Sequence, residues 1–494
     1  MPLVAASYGI LRYEGQLRFY AIRAAGAALA ATLLATACSG GSGSGSSSSA
    51  SPAALADAAG AATTAAAGSG SSDVTLTVAS VNNPQMTDMQ KAVGEFTKET
   101  GIKVNFETLP ENTLRQKVTA DVATGGGQFD LATVGTYEVP IWAQNKWIVG
   151  LQPMFDKMDA SAKSTYDLND ILGNVKKAIS YKNELYALPF YGESSMLFYN
   201  KAEFKAAGLT MPLHPTWGEV QGFAQKLNNP GKNQYGICLR GLPGWGEMGA
   251  PLTTVINTYG GSWFNMQWQP QLTTPPTKTA IAFYVNLIKK YGEPGATSAG
   301  FTECETDFAQ GKVAMWVDAT SAAGQISDPK SSKVAKDVGY AYSPTQVTPL
   351  GSHWLWVWTL AIESSSKHQP EAFKFLTWAT SKKYIALIAS RQGWGNVPPG
   401  TRESTYTNAD YKKAAPFADI VLSSMKSADP THATLHPVPY TGVQFVGIPQ
   451  FQQIGTQTTQ NISGAIAGTS SLDQQLQLSQ TQVTRIMTQA GYIK

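Results

Sequence analysis

Residues 39–72 hold one charged side chain, Asp57, and one large apolar one, Leu55, in a run that is otherwise almost entirely Ser, Gly, Ala and Thr. Such a stretch has too little apolar surface to offset the entropy of ordering it, so it reads as a flexible tether. Every folded element must then lie in residues 73–494. About 420 residues are more than one hydrophobic core usually serves, and two lobes are expected.

That body opens as alternating strands and helices. In "VTLTVAS" Val74, Leu76 and Val78 alternate with polar residues, and Met86, Met89, Val93 and Phe96 follow at helical spacing. "GIKVNFETL" is a second strand, Leu114, Val118 and Val122 mark a second helix, and "FDLATVG" reads as a buried third strand. The pattern predicts an α/β fold with parallel, doubly wound sheets, whose ligand sites lie beyond the carboxyl ends of the strands. Later, Ile281, Tyr284, Val285 and Ile288 share one helical face, as do Leu472, Leu476, Val483 and Met487, while "GKVAMWVDA" and "LWVWTLAIE" read as strands. The prolines of "LTMPLHPTW", "TTPPTK" and "NVPPGT" read as rigid surface turns.

Ahead of the tether, Arg12, Arg18 and Arg23 precede an apolar run from Ala24 to Ala37. The run is too short to span a bilayer but fits the core of an export signal. Cys38 follows Ala35, Thr36 and Ala37, so residues 1–38 end in a junction that resembles a bacterial lipobox, in which the cysteine becomes the lipidated first residue. Ala35 stands where that motif usually has leucine, and Ala35-Thr36-Ala37 also fits an ordinary cleavage site. The expectation is an extracytoplasmic protein held to the membrane by Cys38, with a tether reach of about 30–35 Å. Outside the cytoplasm a Cys238–Cys304 disulfide is permitted, the alternative being two buried thiols.

Charged residues make up 14% of the chain and the formal net charge is +3, which gives no single-sign field for nucleic acid. No phosphate-binding loop, dinucleotide fingerprint or G-x-S-x-G elbow occurs, and His432 and His436 lack the glutamate of a zinc protease. No metal or cofactor is expected. Glu193, Glu247 and Asp318 sit beside aromatic or glycine residues, and two of them could form a glycoside-hydrolase pair. Alternatively, they accept hydrogen bonds from ligand hydroxyls. Trp217, Trp245, Trp263, Trp354 and Trp394 lie in loop-like settings beside Gly, Pro or His. Aromatic faces beside fixed polar groups suit a ligand with C–H faces and hydroxyl edges.

The blocks "VTLTVASVNNPQM", "PENTLRQKVTADVATGGGQFD", "GTYEVPIWAQNKWIVGL", "LPFYGESSMLFYNK", "GICLRGLPGWGE", "MWVDAT", "GSHWLW" and "PVPYTGVQF" resemble the sorbitol/mannitol-type polyol-binding proteins of ABC transporters, within the extracellular solute-binding family that includes maltose-binding protein. The resemblance implies two α/β lobes closing on a ligand cleft, with no catalysis. Residues 73–191 and about 353–395 would form the first lobe, and about 192–352 and 396–494 the second. By position it nominates Asn82, Asn83, Tyr137, Glu138, Glu193, Arg240, Trp245, Glu247 and Asp318 for the ligand, with His353, Trp354 and Trp394 in addition. It further implies a monomer that delivers a small polyol or sugar to a permease driven by a cytoplasmic ATPase. "DATSAAG" carries no aromatic residue where maltose-binding relatives stack glucose rings, which favours a small linear ligand over an oligosaccharide.

Overall fold

The computed structural model describes residues 73–494; Cys38, the export signal and the tether lie outside the described residues. Strand β1 (Thr75–Val81), helix α1 (Pro84–Thr100), β2 (Lys103–Leu109), α2 (Glu111–Thr124), β3 (Leu131–Val134) and α3 (Glu138–Gln144) follow in the alternating order that the sequence suggests. After a short hairpin of β4 (Ser180–Tyr181) and β5 (Glu184–Leu185) come β6 (Leu188–Glu193), β7 (Ser195–Asn200), β8 (Met315–Ala319), β9 (Val338–Tyr342) and β10 (Trp356–Ile362).

Two main sheets result. The first has the order β2-β1-β3-β10-β6, with β1 parallel to β2 and β3, and β10 antiparallel to β3 and β6. All residues of β3, β6 and β10 are buried, so these strands are continuously apolar or tightly hydrogen-bonded, as a sheet covered on both faces requires. The second sheet, β8-β7-β9, is antiparallel throughout, unlike the parallel sheet expected there; its parallel contacts are single bridges from Tyr235 to Val313 and from Cys238 to Trp316. β7 continues from β6 with only Ser194 between them, and both of its partners run opposite to it.

The chain thus passes from the first sheet to the second at Ser194 and back between β9 and β10. Arg402, beyond position 395, donates to Thr380 O, Asp167 O and Asp170. Two proline turns also differ from expectation. Pro275 opens the helix Pro275–Tyr291, where a missing N–H costs nothing. Pro398 and Pro399 are buried, and Pro399 O accepts from Gly192 N on β6 at 2.8 Å. Gly400 (φ 73°) is left-handed, and a Cβ there would lie 2.1 Å from Gly192 O, so only glycine fits this crossing.

Candidate functional site

The helix α2 begins directly after β2 and Pro110, which places Glu111 and Arg115 one turn apart on one face. Arg115 is buried and donates to Glu111 at 2.9 Å and to Glu138 at the start of α3. Burial opposes its charge, but Glu138 and Glu111 hold its pKa above the ordinary arginine value. Its guanidinium lies 4.2 Å from the Trp245 ring and 5.0 and 5.1 Å from those of Trp356 and Trp358. Trp356 reaches this position because Gly135 has no side chain; a Cβ there would lie 1.8 Å from the indole.

A second buried guanidinium comes from the other sheet. Arg240 follows the extended segment bridged to β8 and donates to both oxygens of Asp318 at 2.8 and 2.5 Å and to Gly246 O at 3.0 Å. Glu247 stands 3.5 Å away, and Phe301 lies 5.1 Å over the guanidinium. Asp318 is fully engaged, since it also accepts from Trp316 Nε1 at 3.1 Å and from Ala319 N. Each arginine is therefore held by two acids, and neither can reorient without leaving a carboxylate unpaired.

Both arginines face one cavity, walled by Trp245, Trp354, Trp356 and Trp358. Asn83, Glu111, Tyr191, Glu193 and Gln444 supply its remaining polar lining, with Ser321 beside them. Glu193 accepts from Ser321 Oγ and lies opposite Trp356 across the β6–β10 pair. Burial, with Asp318 and Glu111 nearby, pushes its carboxyl up to about 8, and burial likewise raises Glu247 to about 7. Among the described residues, Trp245 Nε1, Trp354 Nε1 and Gln444 Oε1 are buried without a hydrogen-bond partner. Buried polar atoms of this kind are costly unless a ligand or water pairs with them.

Of the residues nominated from sequence, Asn83, Glu193, Arg240, Trp245 and Trp354 line the cavity. Glu138, Glu247 and Asp318 stand behind the arginines and fix them. Tyr137 stands behind Trp245, ring centroids 4.5 Å apart, with its hydroxyl donating to Ile448 O. Three fall elsewhere. Asn82 is exposed and its amide donates to Leu109 O, because successive residues leaving a strand point apart. His353 bonds Ser427 Oγ at 2.9 Å and packs near Tyr342, and burial lowers its pKa to about 4. Trp394 sits on a short 3₁₀ turn, Trp394–Asn396, and packs against the core. Trp217 and Trp263 are core residues, the latter donating to Thr253 Oγ1. Cys238 and Cys304 form a disulfide with Cα atoms 5.6 Å apart, joining the segment before Arg240 to the helix Phe301–Ala309. Sequence reasoning missed Glu111, Arg115, Tyr191, Trp356, Trp358 and Gln444. Among the described residues no cluster of His, Cys, Asp and Glu is arranged to hold a metal.

Residues 83–386 match the bacterial extracellular solute-binding protein family. The chain belongs to that family. A mannitol-binding protein of Pseudomonas aeruginosa is 47% identical over 421 residues, covering 85% of this chain and 94% of the relative. An ABC transporter solute-binding protein of Agrobacterium vitis, solved with bound D-mannitol, is 50% identical with a TM-score of 0.83, covering 85% of this chain and all (100%) of that one. A solute-binding protein of Agrobacterium radiobacter in complex with ribitol is 26% identical with a TM-score of 0.74, covering 84% and 99%. The fold is therefore the two-lobed α/β fold of these binding proteins. Family members capture solutes and do not transform them, so the glycoside-hydrolase alternative is set aside.

Proposed function

We propose that this protein captures a small linear polyol, mannitol or a close relative, for an ABC importer. The observation that carries this reading is the cavity itself: two guanidiniums, each fixed by two acids, facing a gap walled by four tryptophans in which two indole N–H donors and one amide oxygen lack partners. A hexitol offers the counterpart, a C–H chain for the aromatic faces and a hydroxyl on every carbon for the fixed donors and acceptors. The mannitol- and ribitol-binding relatives support the same class.

Capture proceeds by closure. Arg115, Glu111 and Asn83 belong to the β1–β3 body, Arg240 and Phe301 to the β7–β9 body, so a polyol that bonds to both stabilises the closed form by its differential affinity. Residues 73–191 and a segment beginning near 353 form one lobe, with most of 192–352 and the C-terminal helices in the other. The closed monomer then docks on the membrane permease. Lipidated Cys38 and the 39–72 tether hold it there, which raises its effective concentration without permanent contact. A handful of hydrogen bonds at about 0.5–3 kcal/mol each, less ordering costs, gives an affinity on the order of micromolar.

Titration calorimetry with D-mannitol, D-sorbitol and ribitol tests the assignment. Saturable binding at one site per chain is expected; no heat and no thermal shift with any hexitol or pentitol rejects it. Cys38→Ala should release the protein from the membrane fraction while leaving polyol affinity unchanged.

A further inference from the structure

Five acids surround the cavity, Glu111, Glu138, Glu193, Glu247 and Asp318, against two guanidiniums. Four of the five are paired with Arg115 or Arg240 within 3.5 Å. Glu193 is the exception. It is more than nine-tenths buried and lines the cavity, its hydrogen bond comes from the neutral Ser321 hydroxyl, and no cation stands within ion-pair distance of it among the described residues. The charged groups it feels are Arg240, Asp318 and Glu111, two of them of its own sign, and Tyr191 lies two residues back on β6. The site has a carboxyl in want of a cation and no cation to spare.

We infer that the cavity also accepts amino-polyols, linear sugar alcohols bearing one primary amine, with the ammonium seated against Glu193, and that it discriminates against the corresponding sugar acids. The inference rests on the polyol reading and extends its ligand class. An ammonium supplies three donors and the missing positive charge where a hydroxyl supplies one donor and none. A carboxylate in the same place would find no positive charge left to meet it, since the charge of each arginine is already matched by two acids.

Binding of the amine has a proton balance that binding of the alcohol lacks. With its pKa near 8, Glu193 carries a proton at neutral pH, while a primary amine is an ammonium. When the two meet, the Glu193 O–H bond breaks, its electron pair stays on the carboxylate, and the proton passes to the buffer. No other bond changes. About one proton is released per amine bound at pH 7, and the affinity for the amine rises roughly tenfold between pH 6.5 and 8.

The test is calorimetry on the full chain with D-mannitol, 1-amino-1-deoxy-D-mannitol and D-mannonate, at pH 7 in phosphate and in MOPS, whose ionisation enthalpies differ and neither of which is an amino-polyol. The expected result is that mannitol and the amine both bind, that the heat for the amine alone shifts between buffers by about one proton's ionisation, and that mannonate binds at least tenfold more weakly than mannitol. Glu193→Gln should abolish the buffer dependence; if that variant fails to fold, the wild-type buffer comparison decides alone. Mannitol binding without the amine, amine binding with no proton release, or mannonate binding as tightly as the amine each overturns the inference. If no ligand binds, the polyol reading falls and takes the inference with it.

Discussion

Replacing Arg240 by Met separates what the arginine does for the fold from what it does for the ligand. In the folded protein Asp318 is fully buried and receives two hydrogen bonds from Arg240, at 2.8 and 2.5 Å, with Glu247 a further 3.5 Å from the guanidinium. Removing the cation strands a buried charge, which costs about 3–5 kcal/mol. For a lobe of ordinary domain size that is a fall in Tm of roughly 6–20 °C. The ligand loses charge-assisted hydrogen bonds worth about 1.5–3 kcal/mol, a loss of roughly 10- to 150-fold in affinity. Adding Asp318→Asn to Arg240→Met should restore much of the stability, since Glu247 takes up a proton near pH 7. It should restore none of the affinity. Scanning calorimetry and mannitol titration on the wild type, the two single variants and the double variant complete the cycle. An Arg240→Met protein with wild-type mannitol affinity would show that the guanidinium does not touch the ligand. A double variant no more stable than Arg240→Met would refute the ion-pair argument.

Other consequences can be measured directly. Trp356→Ala removes one wall of the cavity and the ring beside Arg115, and mannitol affinity should fall by about tenfold or more. Glu363, buried at the end of β10 near Asp121, has its carboxyl raised to about 9 by burial and then by that neighbour. The folded chain therefore keeps a proton that the unfolded chain sheds above the ordinary glutamate value, so stability is highest at low pH in this window and falls as pH rises toward 9. Melting scans from pH 5.5 to 9 should show that fall, and Glu363→Gln should lessen it, with Glu193 and Glu247 contributing the remainder; a Tm that rises over this range contradicts the assignment. Opening the Cys238–Cys304 bridge frees a loop with a sequence separation of 66, worth about 4 kcal/mol in chain entropy, and the reduced protein should melt lower than the oxidised one.

The alternation of strands and helices through β3 was legible because each element is short, periodic and bounded by its own cap or turn. The helix Pro275–Tyr291 and strands β8 and β10 were legible for the same reason. The antiparallel sheet was not, since its register is set by partners more than a hundred residues away along the chain, such as Leu197 against Val317. At the site, Glu193 and Trp245 stood out because an acid and a tryptophan beside glycine are unusual in a core, whereas Arg240 was nominated only by its position in the family resemblance. Glu111 and Arg115 did not, because an acid and a base four residues apart on a helix look like an ordinary exposed ion pair; only burial beneath Trp245 distinguishes them. Trp356 and Trp358 share one face of β10 by its period of two, yet in sequence they read as strand core. Trp394 misled in the opposite direction, its glycine neighbours marking a turn at the end of a helix.

A crystal structure of the protein with D-mannitol puts the central claim to the most direct test. The account predicts one hexitol in the cavity between Arg115 and Arg240, its carbon chain against Trp245 and Trp356, its hydroxyls within hydrogen-bond distance of both guanidiniums, Glu193 and at least one of the unpaired indole nitrogens. Mannitol bound outside that cavity, or inside it while touching residues of one lobe only, would contradict the account.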